Sequence, residues 1–218
     1  MKPLYRILLT AVCLPFLFAA CSLTSLIREE SRLEQVRVYL TDGSIIEGKA
    51  KLPDLEDRHI RIASNGKGHR CIKADSIKAL AFRRENSEGR RDIFLYSKYR
   101  NRDRVTGPFW MKLEGYGPHL DICRCGAYYA YGKDGEVEVQ SSFNDRVYIV
   151  AFRKDCPGQL VGYDDSRIAT LRMNLLEILG DDPVLCAKLQ GRELSVSDYR
   201  TICSEYNPEN SREDGKFI

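Results

Sequence analysis

The chain has one tryptophan, three methionines and three histidines in 218 residues, and it lacks the compact signatures that announce many enzymes. No serine sits in a GxSxG elbow, which removes the strand-to-helix nucleophile turn of the α/β-hydrolases. "NGKGHR" (65–70) lacks the upstream Gly and the Ser/Thr of a phosphate-binding loop. "GYGPH" (115–119) has neither the third Gly nor the following helix of a dinucleotide fingerprint, so it reads as a turn. No Cys-x-x-Cys pair is present for redox work. No cofactor is expected, and catalysis is the lesser reading. Charge of one sign is also scarce: 34 Lys/Arg face 31 Asp/Glu, for a net +3. A dedicated polyanion binder is usually strongly basic, so no nucleic-acid partner is expected.

Long hydrophobic runs are confined to the start. In "MKPLYRILLTAVCLPFLFAAC" a basic segment with Lys2 and Arg6 precedes the apolar stretch Ile7 to Phe18 and the small residues Ala19 and Ala20. That order reads as a signal peptide over 1–20, because the run is too short to span a bilayer. Its end, "LFAAC", resembles the lipobox of bacterial lipoproteins, with Phe18 standing where Leu is commoner. The resemblance implies that Cys21 is diacylated on sulfur and acylated on its new amino group. Two or three acyl chains hold a protein stably on a membrane, where one binds only marginally. The other reading is an ordinary secretory signal that leaves Cys21 a plain thiol. Residues 21–34 form the lipidated Cys and tether. Ser22 follows the Cys and no Asp stands there, which by resemblance to lipoprotein sorting points to the outer membrane, facing the periplasm. Removing 1–20 takes two of the 34 basic residues, Lys2 and Arg6, and no acid, leaving a net +1.

Cysteine is plentiful instead. Beyond Cys13 and Cys21 there remain Cys71, Cys123, Cys125, Cys156, Cys186 and Cys203. An even number in an exported protein suggests disulfides, with fifteen complete pairings open. A second concentration is "RRENSEGRRDIFLYSKYRNRDR" (83–104), with eight Lys/Arg against four Asp/Glu and Phe94, Tyr96 and Tyr99 interleaved. Basic plus aromatic suits nucleic acid or anionic headgroups. A solvated β-edge with its loops gives the same pattern.

The pattern beyond the tether predicts an α+β chain in three parts. Residues 35–85 read as five short strands of a small SH3-like or Sm-like β-barrel. "QVRVYL" alternates Val36, Val38 and Leu40 against Arg37 and Tyr39, and the Asp42-Gly43 turn leads into "IIEGKAKL". Residues 86–163 read as an antiparallel β meander built on "DIFLYSKY", "FWMKLEGY", "LDICRC", "YYAYG", "VEVQSSF" and "RVYIVAF". Residues 164–207 form the helical region. Ile168, Leu171, Leu175 and Ile178 make one stripe, with Asp165 or Ser166 as N-cap. Asp182-Pro183 starts a second helix, and Ser195 with Asp198, spaced as a capping box, starts a third. Residues 208–218 read as a disordered tail. The last two helices are expected to lie antiparallel, which puts Cys186 and Cys203 within reach of a disulfide.

"VYLTDGSIIEGK", "RVYIVAFRK" and "LGDDPVLCAKLQGRELSVSDYRTICSEYN" are together similar to an uncharacterised family of secreted and lipid-anchored bacterial envelope proteins. Its members often carry Asp-Cys-Pro where this chain has Asp181-Asp182-Pro183, and the resemblance implies no activity. The expectation is a lipid-anchored, non-enzymatic binding or adaptor module with an envelope protein partner. Its contact surface is expected at an exposed strip of Tyr96, Tyr99, Arg100 and Trp110, residue types enriched at interface hot spots. The alternative is a metal-handling or hydrolytic protein using His119, Asp121, Cys123 and Cys125, which share one side of a strand. Neighbours at i and i+2 lie about 6–7 Å apart, so at most two of them could share an ion. His69 with Cys71 offers a further pair.

Overall fold

A computed structural model describes residues 32–63, 68–83, 89–142, 145–154 and 156–210. The signal segment, Cys21, nearly all of the tether and 211–218 lie outside the described residues. The described chain is mostly β, with twelve strands and three helices. Among the described residues, no helix is long and apolar enough to cross a membrane.

The first five strands are β1 (Glu34–Leu40), β2 (Ile45–Ala50), β3 (His59–Ala63), β4 (His69–Lys73) and β5 (Ile77–Arg83), with a 3-10 turn at Ala74–Ser76 before β5. The opening hairpin forms as its sequence dictates. Gly43 takes φ +85°, which a Cβ resists, and Asp42 accepts hydrogen bonds from Ser44 N (2.8 Å) and Ser44 Oγ (2.7 Å). Seven strands follow: β6 (Arg91–Asn101), β7 (Arg104–Tyr116), β8 (Leu120–Cys125), β9 (Tyr128–Tyr131), β10 (Val137–Gln140), β11 (Tyr148–Arg153) and β12 (Gly158–Tyr163).

Ten strands form one sheet in the order β12-β11-β8-β7-β6-β5-β1-β2-β3-β4, and β12 returns to pair with β6. The closed five-stranded barrel is therefore β6-β7-β8-β11-β12. Closure lies in the stretch expected to be an antiparallel meander; the five strands of 35–85 run out from it as a continuation of the sheet. The closing strand "GQLVGY" has no counterpart among the strands read from the sequence. Closure is parallel and brief, pairing Gly158 with Tyr99 and Gln159 with Arg100.

Period-two alternation sorts the barrel side chains between two cores. Tyr99, Met111, Cys123, Cys125 and Val150 point into the ring, with Leu95, Phe109 and Leu160 beside them. Leu120, Ile122, Ile149, Ala151 and Val161 point outward, beneath the helices. Burial on both faces explains the unbroken apolar run "YIVAF" in β11. A third core joins Val36, Val38, Ile60, Ile62, Leu80 and Phe82 of the first strands to Phe94 and Trp110, and the β9-β10 hairpin covers it through Tyr129, Val137 and Val139. Tyr129 Oη donates to Trp110 O. A buried ionic cluster fixes the same hairpin: Lys112 Nζ lies 3.1 Å from Glu136, 3.3 Å from Glu114 and 3.7 Å from Asp92, and Asp92 accepts Val137 N at 3.1 Å.

The helices are α1 (Ile168–Ile178), α2 (Pro183–Gly191) and α3 (Tyr199–Glu205). In α1, Leu171, Leu175 and Ile178 are buried as the stripe predicts, but Ile168 at its start is 63% exposed. The expected caps shift: Arg167 occupies the N-cap position with no side-chain bond, and Ser166 Oγ instead accepts Tyr163 N. Asp182 caps α2 with Pro183 at its first position, accepting Leu185 N (3.1 Å), Asn207 N (2.8 Å) and Asn210 Nδ2 (2.8 Å). Asp198, rather than Ser195, caps α3 by accepting Thr201 N at 3.2 Å.

Candidate functional site: a groove where β6 changes partners

β6 serves two neighbours on the edge facing away from β7. It pairs with β5 over 91–94 and with β12 over 99–100. Between them, Leu95 to Lys98 carry no ladder partner on that side among the described residues, because β5 has turned to follow β1 and β12 has not yet arrived. The opening is a groove of about 500 Å³. Its floor is Tyr96, Ser97 and Lys98, and its ends are Asp75 with Ile77 at the start of β5 and Pro157 with Gly158 at the start of β12. Opposite Lys98, β7 carries two residues, Gly107 and Pro108, and this register shift bends the floor.

The four residues expected to form an exposed strip divide. Tyr99 is 3% exposed, inside the ring, with its centroid 6.1 Å from Tyr148 and 6.3 Å from Phe109. Burial drives its phenol well above the usual range. Trp110 is 0% exposed in the other core, and its Nε1 donates to Asp57 O at 2.9 Å. Neither is a free contact residue, because Tyr99 faces the ring interior and Trp110 faces the core under the first strands. Tyr96 is half-buried at the groove, its ring 5.0 Å from Trp110, and its phenol is raised by burial and by Asp75. Arg100 and Val105 are exposed at the groove rim, and Lys98 is exposed on the floor. The sequence reading missed Asp75, Lys98, Val105 and Pro157; Lys98 alone had a signal, as a second cation beside Arg100 in "YSKYR".

The cysteines do not pair. All six from Cys71 to Cys203 are free thiols. The expected Cys186–Cys203 bridge fails because α3 packs on β7 and β8 while α2 packs on α1. Cys186 Sγ donates to Leu179 O at 3.3 Å. Cys203 lies on β7, where a Cβ on Gly115 would stand 3.0 Å from its sulfur and one on Gly117 would strike its carbonyl. The glycines of "GYGPH" thus admit a helix backbone against the sheet. Cys71 and Cys156 are exposed.

His119, Asp121, Cys123 and Cys125 do not converge either. Among the described residues no group of three or more His, Cys, Asp or Glu could hold a metal ion, and this includes the His69 and Cys71 pair with its neighbours. Metal ligation and nucleophilic attack both need thiolate. Burial holds the Cys123 thiol well above its ordinary value and pushes Cys125 up to about 12, while burial and then Asp121 push Cys203 up to about 12. These are core thiols.

Neither a protein-family model, nor a curated protein, nor a solved structure matches the chain.

Proposed function

We propose that the protein is a non-enzymatic binding module of the bacterial cell envelope. Acyl chains on Cys21 hold it, on the outer membrane facing the periplasm, and it takes an extended acidic segment of an envelope protein into the β6 groove. The observation that carries the binding reading is the break in the ladder at Leu95 to Lys98. A strand edge with open backbone groups, flanked by side-chain pockets, accepts an added strand. Among the described lining residues, Lys98 and Arg100 outnumber the acid Asp75, which favours an acidic occupant. The lipid anchor rests on "LFAAC" in its signal-peptide context. The strand order β5-β1-β2-β3-β4, with a 3-10 turn before β5, supports an SH3-like reading of the first five strands.

A photo-reactive amino acid at position 98 tests the module in living cells. A discrete protein adduct is expected from position 98 and none from Met173, an exposed position on α1. Charge reversal at Arg100 should abolish the adduct. Equal adducts from both positions, or none from 98, would remove the groove as the binding surface. Incorporation of labelled palmitate that is lost in Cys21→Ser tests the anchor separately.

A further inference from the structure

The face of β3 and β4 opposite the core carries cations beside the point where the tether enters the fold. Ile60 and Ile62 are buried, so His59 and Arg61 point out. The register sets Arg61 opposite Cys71, Ala63 opposite His69 and Lys49 opposite Ala63. Leu33, 44% exposed at the end of the tether, lines a cup of about 570 Å³ with Lys51, His59, Arg61, His69 and Cys71. Among the described residues the side chains of Lys51, His59, Arg61 and His69 have no hydrogen-bond or ion-pair partner. The acid of the cup, Asp57, is turned to its own loop and accepts Asp54 N at 2.9 Å.

We propose that this cationic cup seats the domain on an anionic lipid surface, with headgroup phosphates resting among Lys51, Arg61 and the two histidines. The inference builds on the lipid-anchor reading of Cys21. Twelve residues separate Cys21 from Leu33 inclusive of the latter, so the tether reaches at most about 43 Å even when fully extended. Because it joins the fold at the cup, the tether keeps the cup within that distance of the bilayer. Each Lys or Arg brought to an anionic leaflet raises partitioning roughly fivefold. A few such charges hold a free protein poorly. On a tethered one they compete only with rotation of the domain, so they select an orientation.

Mature protein purified from membranes is reconstituted into vesicles of phosphatidylcholine, or of phosphatidylcholine mixed with phosphatidylglycerol. Flotation reports anchoring. The rate at which a polyethylene-glycol maleimide modifies Cys71, relative to the exposed Cys156, reports seating. The protein is expected to float with both vesicles. The Cys71:Cys156 rate ratio should fall about fivefold or more only with phosphatidylglycerol, and recover in high salt or in Lys51→Glu/Arg61→Glu. Unchanged fluorescence of buried Trp110 would certify the variant's fold. Flotation with an unchanged ratio overturns the seating and leaves the anchor standing. Failure to float on phosphatidylcholine overturns the anchor, and the seating with it.

Discussion

Adjacent residues on β6 have opposite fates, and substituting each by Ala separates them. Tyr99 fills the ring interior between Tyr148 and Phe109 and is almost fully buried. Removing a buried aromatic side chain costs about 3–5 kcal/mol, from lost transfer energy and from the cavity left behind. Arg100 is exposed, with no ion pair among the described residues, so Arg100→Ala should stay within about 0.5 kcal/mol. Trp110, the sole tryptophan, is buried next to the ring and reports unfolding directly. With a urea slope of about 2 kcal/mol/M, Tyr99→Ala lowers the midpoint by about 2 M and Arg100→Ala leaves it in place. Equal midpoints for the two variants, or a shift below about 0.5 M for Tyr99→Ala, would refute the placement of Tyr99 inside the barrel.

The ionic cluster under the hairpin gives a second test: Lys112→Ala removes the buried ammonium shared by Asp92, Glu114 and Glu136 and should cost about 3–5 kcal/mol in the same assay, whereas a loss under about 1 kcal/mol would contradict the burial of the cluster. Burial raises the Asp121 carboxyl above its ordinary value, so the folded state holds that proton more tightly than the unfolded chain. Its contribution to stability is present below about pH 4 and is lost as pH rises through the folded value. Asp121→Asn should therefore raise the unfolding midpoint at pH 7 and leave it unchanged near pH 3; a lower midpoint at pH 7 would reverse the sign. Thiol titration of the native protein should label Cys71 and Cys156 quickly, and Cys123, Cys125 and Cys203 only as the protein unfolds. Rapid labelling of Cys123 would contradict a packed ring interior.

Much of the strand pattern was legible. The opening hairpin, six of the seven later strands and the start of α2 at Asp182-Pro183 follow from alternation, turn residues and capping. The strand that closes the barrel was not, because its packing demands small residues at both ends. A Cβ on Gly158 would stand 2.7 Å from Phe152 Cζ, and one on Gly162 would stand 2.6 Å from a Leu171 methyl. Glycines that let neighbours approach leave too few large side chains to announce a strand. Tyr99 and Trp110 misled for a related reason. An aromatic on a half-exposed strand and one on a strand buried on both faces read alike, and only the tertiary closure tells them apart. The Cys186–Cys203 expectation measured distance from a shared turn, while docking of α3 onto Gly115 and Gly117 at the end of β7 decides where Cys203 points. The groove itself has no local signature, since it arises where one strand exchanges β5 for β12.

That exchange is the centre of the account, and residue-resolved amide hydrogen exchange along β6 measures it without a partner. Amides of Leu95 to Lys98 that point away from β7 should exchange rapidly, while Ile93, Phe94 and Tyr99 beside the flanking ladders stay protected. Uniform protection from Ile93 to Tyr99 would mean that the edge is already filled, and would contradict a groove open to an added strand.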